Sequence, residues 1–177
     1  VTHSIPTAMN AASADGSPAA RYDAQHIRVA SRTADAAQVR LGEHLDWELT
    51  YCSRSGNPRI PWLEPDINDR ITEIKGVAGV VAAPIGFISD HMEVAYDLDT
   101  QASESAAEAG FDYERAATAG VHPDFVATLA DLLIEQAAVA RGERALPDHP
   151  CLTESVRCCL PHPQKEQTHV PSASSAH

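Results

Sequence analysis

Val77-Ala78-Gly79-Val80-Val81-Ala82-Ala83-Pro84-Ile85-Gly86-Phe87-Ile88-Ser89-Asp90-His91-Met92-Glu93 begins as an apolar run and ends in a cluster of ionisable side chains. Residues 77–83 read as a buried strand, carried to Pro84 and ended by the Pro-Ile-Gly-Phe sequence. Ser89 then reads as a helix cap, with Asp90, His91 and Glu93 following within four residues. A strand that delivers polar groups to a helix start is the βα unit of an open sheet. The opening residues, Val1-Thr2-His3-Ser4-Ile5-Pro6, have the same shape: a strand end, a histidine, a hydroxyl and a proline. Two such edges side by side can hold one site.

Working outward, residues 11–18 are small, polar and Gly/Pro-containing, and read as a loop. A helix is expected over 22–41, with Tyr22, Ile27, Ala30, Ala34, Ala37 and Leu41 as its stripe and Gly42 as its C-cap. Residues 47–52 alternate in the manner of a strand, closed by Ser53-Arg54-Ser55-Gly56. Pro61-Trp62-Leu63-Glu64-Pro65 continues neither helix nor sheet, because each proline removes a donor and restricts its neighbour. Asp66 caps a short helix with Ile67, Ile71 and Ile74 on one face, stopped by Gly76. A long helix is expected from Ser89 to about Ala109, ended by Gly110. A last helix begins near Pro123, with Phe125, Leu129, Leu132, Leu133 and Val139 on one side. The order strand, helix, strand, helix, strand, helix, helix is half of a doubly wound α/β unit with a parallel sheet.

At 177 residues one domain is the expectation, and 44% hydrophobic residues argue for a folded body. A formal net charge of −12 argues against nonspecific binding to nucleic acid or anionic lipid. No apolar run approaches the roughly 18 residues of a membrane span, and no signal peptide is visible, so a cytoplasmic location is expected. The chain starts on a strand end rather than on Met, which reads as a fragment lacking its N-terminal part. Residues 161–177 are rich in Pro, Ser, His and Gln and are expected to be disordered. Cys52 lies in a strand-like run, whereas Cys151, Cys158 and Cys159 crowd the C-terminal end. Without export signals these favour metal or cluster binding over a disulfide framework.

Ligands of open parallel sheets gather beyond the carboxyl ends of the strands. The candidate edges are Thr2-His3-Ser4, Ser53-Arg54-Ser55 and Ser89-Asp90-His91-Met92-Glu93. Glu93, Asp97 and Gln101 recur at i, i+4 and i+8 and line one helix face. Such a file can pass protons or hydrated cations, or can simply be a solvated face. Asp99 falls off the line and reads as surface.

Four segments taken together resemble the C-terminal half of ferrochelatase. They are Thr2-His3-Ser4-Ile5-Pro6, Tyr51-Cys52-Ser53-Arg54-Ser55-Gly56, Pro61-Trp62-Leu63-Glu64-Pro65-Asp66 and residues 84–93, in the family's order. The resemblance runs from His3 to about Ala140, and its Ser-Arg-Ser-Gly and Asp-His-Met-Glu-Val segments look like the actinobacterial, coproporphyrin-using branch. It implies one Rossmann-like, chelatase-type α/β domain with a parallel sheet over 1–145, its first strand truncated, the second half of a two-domain fold. Residues 146–160 are then a Cys-containing segment. The implied activity is that of a lyase of heme biosynthesis: insertion of substrate Fe²⁺ into coproporphyrin III or protoporphyrin IX, with release of two protons.

His3 matches the family's catalytic histidine and Glu93 its facing glutamate, both as metal ligands. Asp90 and His91 match the segment that positions Glu93, and Asp97 matches the acidic file behind it. Gln101 departs from the acid often found there. Trp62 matches an aromatic near the porphyrin cleft, and Ser53 belongs to the same edge. Imidazole and carboxylate suit the chemistry, since each can bind a divalent cation or take a pyrrole proton. The branch also implies a possible [2Fe–2S] cluster on Cys151, Cys158 and Cys159. Its fourth ligand would come from the N-terminal half or from Cys52, and a zinc site or free thiols are the alternatives. The implied partners are a porphyrin and the N-terminal half of the same protein, with no nucleic acid and no membrane insertion, and the fragment alone is expected to be inactive. Two other readings stand beside this one: a cobalt or nickel class II tetrapyrrole chelatase, and a non-catalytic porphyrin- or metal-binding half-domain.

Overall fold

Four short strands in two parallel pairs organise the body of the chain, in a computed structural model that describes residues 1–13, 18–57 and 59–145. β1 (Thr2–His3) pairs with β2 (Tyr51–Cys52), Thr2 opposite Tyr51 and His3 opposite Cys52. β3 (Gly79–Ala82) pairs with β4 (Asp112–Arg115), from Gly79 opposite Asp112 to Ala82 opposite Arg115. The pairs meet where the Val1 amino group donates to the Ala83 carbonyl at 2.6 Å and the Gly86 N–H donates to the Val1 carbonyl at 3.2 Å. The segment that leaves β3 therefore runs directly alongside β1.

The helices are α1 (Thr7–Ala12), α2 (Tyr22–Leu41), α3 (Ile67–Glu73), a continuous helical run from Met92 to Ala109, and α6 (Pro123–Ala140). The run is built of α4 (Met92–Val94), a π-helical segment (Ala95–Ala102) and α5 (Ser103–Ala109). Local chemistry explains most of the ends. Gly42 and Gly110 take φ of +73° and +79°, which only glycine adopts at little cost, so α2 and α5 stop there. The Asp66 carboxylate accepts from the Asn68 N–H at 2.8 Å and opens α3. Val94, Leu98, Ala102 and Ala106 of the helical run pack with Ile67 and Ile71 of α3 and with Phe87 to form the core.

The α/β architecture with parallel pairing agrees with the expectation, and α2 spans the residues expected of it. Several other elements differ. Pairing in the second strand is confined to Tyr51–Cys52, and Trp47 is exposed. The strand expected over 77–84 narrows to Gly79–Ala82, whose register is fixed by close approach: a Cβ at Gly79 would lie 2.6 Å from the Asp112 carbonyl oxygen. The long helix starts at Met92 instead of Ser89. Its cap is His91, extended at φ −145° and ψ 175°, with Nδ1 accepting from the Val94 N–H at 3.4 Å. Ser89 is held outside by the loop after β4, where Gly120 packs against the Ile88 carbonyl. Residues 7–12 form α1, and β4 stands between the long helix and α6; neither element was expected. On α6, Phe125 and Val139 are half-buried, but Leu129, Leu132 and Leu133 are exposed among the described residues.

The chain divides into a body, Val1–Leu146, and a segment, Pro147–His177. That segment, with Cys151, Cys158, Cys159 and the tail expected to be disordered, lies outside the described residues. No described helix is long and apolar enough to cross a membrane.

Candidate active site

His3 closes β1, and its position is set from three sides. The backbone of the edge is held by Thr2 N–H to Thr50 O (3.1 Å) and Ser4 N–H to Cys52 O (2.8 Å). From α2, the Tyr22 hydroxyl donates to the His3 carbonyl and meets the Thr2 hydroxyl, both at 2.7 Å. Beyond Ser4 the chain is pinned to residues 61–63: the Ser4 hydroxyl donates to Leu63 O at 2.7 Å, and Pro6 bridges to Trp62.

Glu93 arrives from the other side, on the first turn of α4. The strap 84–91 brings it there, passing over Thr2 at Gly86, where no side chain fits. Phe87 is buried and meets the His91 ring edge-on, with centroids 5.6 Å apart. The result is His3 Nε2 at 3.2 Å from Glu93 Oε1, with the two side chains 34% and 45% exposed. Solvent reaches both groups.

The proton inventory of this pair is informative. His3 Nδ1 contacts the Ser4 carbonyl, which only accepts, a contact suited to the tautomer with its hydrogen on Nδ1. A neutral His3 then turns the lone pair of Nε2 toward a carboxylate. Two acceptors at 3.2 Å need a proton or a cation between them. With metal–ligand bonds of ~2.1 Å, that separation subtends roughly 100° at one ion, an angle suited to adjacent ligands. Among the described residues no third His, Cys, Asp or Glu joins the pair in a cage.

Behind Glu93, Asp97 is only 8% exposed. Its carboxylate accepts from the hydroxyl of Ser53, the residue that follows β2. Ser53 adopts φ +62°, a conformation disfavoured for a side chain with Cβ, and this turns its hydroxyl inward. Asp97 is therefore not part of a uniformly solvated face, whereas Gln101 is exposed. Asp99 is also more than surface, since both its oxygens take hydrogen bonds from Arg115. Asp90 is bound by the same guanidinium at 2.9 Å. Trp62 is half-buried, and its indole N–H has no partner among the described residues.

Cys52 is 1% exposed, and burial pushes its thiol up to about 12. Its sulfur lies against the Thr2 carbonyl and the Ser53 hydroxyl inside the body, which leaves no exposed side for it to take the fourth position of an iron–sulfur cluster. The other three cysteines lie outside the described residues.

Tyr22, Arg115 and Gly86 shape the site without having been singled out for it. Tyr22 stood in the helix stripe as an apolar residue. Gly86 was visible as the lone glycine between Pro84 and Glu93, the usual mark of a close backbone approach. Arg115 lay hidden with its strand.

The ferrochelatase family model matches residues 1–137. The chain is 51% identical over 148 residues to a coproporphyrin III ferrochelatase of Streptomyces griseus, covering 80% of this chain and 39% of that protein. Against the proteins of the same name from Streptomyces coelicolor and Propionibacterium freudenreichii it is 49% and 48% identical, covering 82% and 84% of this chain and 40% and 42% of theirs. The chain thus spans about two fifths of the length of these relatives. With most of its length, both candidate walls included, inside the matched region, the chain belongs to the ferrochelatase family.

Proposed function

We propose that this chain supplies the metal-handling wall of an enzyme that inserts Fe²⁺ into coproporphyrin III in heme biosynthesis. The observation that carries the reading is His3 Nε2 facing Glu93 Oε1 at 3.2 Å across the two walls. Fe²⁺ is the substrate, and the pair forms two adjacent ligands for it. Metal insertion releases two pyrrole protons, and the same two groups accept them as the ion leaves for the macrocycle. Asp97, tied to Ser53, stands one helical turn behind as the next carboxylate. Trp62, bridged through its backbone to Pro6 beside the edge that carries His3, backs the porphyrin side with its indole, whose N–H is buried and has no partner among the described residues. No step in this reading passes through an iron–sulfur cluster.

The curated relatives carry about three fifths of their length outside the matched region. In our reading that part provides the opposite wall of the porphyrin cleft. Leu129, Leu132 and Leu133 of α6 are the apolar surface available to seat it. The pair alone also supports a second reading, binding of metal without turnover by these residues in isolation.

The test joins this sequence to the N-terminal half of a relative and follows the loss of coproporphyrin III fluorescence on adding Fe²⁺. His3→Ala and Glu93→Gln are each expected to lower kcat by about a hundredfold or more, the scale of a lost general base. Near-normal turnover in both variants overturns the assignment. Turnover by the 177-residue chain alone excludes the cleft as described.

A further inference from the structure

We propose that Arg115 is a positioning residue for Glu93, clamping the chain on both sides of it. The inference rests on the reading of His3 and Glu93 as the cation pair. Arg115 ends β4 opposite Ala82, the last residue of the strand that continues into the strap leading to Glu93. Its side chain is 18% exposed, and it bonds two separate segments. Nε and Nη2 take the two oxygens of Asp99, the second at 3.1 Å, and Nη1 takes Asp90 at 2.9 Å. Nη1 also reaches the Ala116 carbonyl at 3.3 Å. Asp90 precedes Glu93 by three residues, in the strap, and Asp99 follows it by six, in the π-helical segment.

Glu93 itself is half in solvent, and among the described residues its ion pair is with His3. Where its carboxylate stands is therefore decided by its backbone, which the clamp holds from both sides. Tyr113, two residues earlier on the same face of β4, adds a bond from its hydroxyl to the Leu98 carbonyl at 2.9 Å. Strand β4 is thereby a strut for the turn that bears Glu93. Removing the guanidinium removes the bonds that tie the strap, through Asp90, to the helix, through Asp99. Lysine is a poor replacement, because a point charge cannot hold one carboxylate with two parallel bonds while reaching a second.

The experiment titrates the 177-residue chain with Co²⁺, reading its visible d–d absorption, for the parent chain and for Glu93→Gln, Arg115→Ala, Arg115→Lys and Asp99→Asn. Thermal midpoints are measured alongside. Arg115→Ala is expected to weaken Co²⁺ binding by roughly 10–100-fold, the usual effect of losing a group that orients a metal ligand. Arg115→Lys and Asp99→Asn should fall between, and added guanidinium should restore affinity to Arg115→Ala. If that variant does not fold, Asp99→Asn and Arg115→Lys carry the test. Binding within twofold of the parent in the Arg115 and Asp99 variants, while Glu93→Gln loses it, overturns the positioning role. A loss that tracks only the thermal midpoint and is not rescued by guanidinium overturns it as well. No binding by the parent chain, or binding that Glu93→Gln leaves intact, overturns the reading of the pair and the clamp's role with it.

Discussion

Gly86 is the point at which the two walls of the site touch, and replacing it with alanine should damage fold and site together. The added Cβ would lie 1.9 Å from Thr2 Oγ1, 2.5 Å from Thr2 Cβ and 2.9 Å from Thr2 Cα. Rotating the Thr2 side chain relieves only the first contact. Ordinary carbon contacts begin near ~3.5 Å, so strap and strand must separate by about 1 Å. His3 follows Thr2 directly, and Glu93 ends the strap, so their 3.2 Å gap opens with it. Two bonds of ~2.1 Å span at most ~4.2 Å, and a gap that wide leaves the pair chelating only in a straight line. The overpacking should cost about 1–3 kcal/mol. At roughly 2–4 °C per kcal/mol for a domain of this size, the thermal midpoint should fall by ~2–12 °C. Circular dichroism melting and Co²⁺ titration of the 177-residue chain check both parts. Thr2→Gly removes two of the three clashes, so Gly86→Ala should cost less in that background. A midpoint within about 1 °C of the parent, with unchanged Co²⁺ affinity, would refute the reasoning, because no overpacking penalty would then exist.

Ser53 offers a comparison that separates strain from bonding. Ser53→Ala and Ser53→Gly both remove the hydroxyl that serves the buried Asp97, at about 1–3 kcal/mol by urea unfolding. Glycine also accepts φ +62° freely, so it should be the milder change by roughly 1 kcal/mol; equal losses would show that the backbone there is unstrained. The buried thiol of Cys52 governs an alkaline limit. Its folded pKa is about 12 against an ordinary 9.0, so the folded state holds this proton more tightly than the unfolded one. That contribution to stability is complete below about pH 9 and is lost progressively toward pH 12, with Tyr51 and Tyr113, also raised to about 12, adding above pH 10. Urea midpoints at pH 8, 9.5 and 11 should therefore descend, and a flat or rising series contradicts the assignment. Iodoacetamide at pH 8.5, read by peptide mapping, should label Cys52 in the unfolded chain far faster than in the folded one.

What could be read from the residues was decided by local chemistry. The α2 boundaries followed from a stripe and a C-cap glycine, and the start of α6 from Pro123 at its first turn. Strand β4 escaped because Asp112-Tyr113-Glu114-Arg115 carries three charges and no β-branched residue. Its stability is tertiary: Tyr113 packs on the core, and Arg115 is neutralised by carboxylates contributed from elsewhere. Ser89 misled for a related reason. Serine is a good cap, but the strap still needed residues 89–91 to reach Arg115 and to seat His91 beside Phe87. The pairing of His3 with Glu93 depended on β1 lying against the segment after β3, which two backbone hydrogen bonds supply and no short-range pattern encodes.

The π-helical segment, by contrast, did leave a trace in the sequence. Val94, Leu98, Ala102 and Ala106 are all fully buried, at an unbroken spacing of four. In an α-helix four residues overshoot a full turn by about 40°, so three such steps would carry the stripe roughly 120° around the helix and out of the core. Hydrogen bonding one residue further along over residues 95–102 widens the turns and cancels that drift. Glu93, Asp97 and Gln101 precede three of those buried positions by one residue each and share their period. The same widening that keeps the apolar line in the core therefore keeps the polar line in register beside it. Burial then varies along that line with what stands opposite: open edge at Glu93, Ser53 at Asp97, solvent at Gln101. A strict four-residue apolar period, where an α-helix would alternate three and four, was the available signal that this helix is not α throughout, and that its carboxylates stay in file.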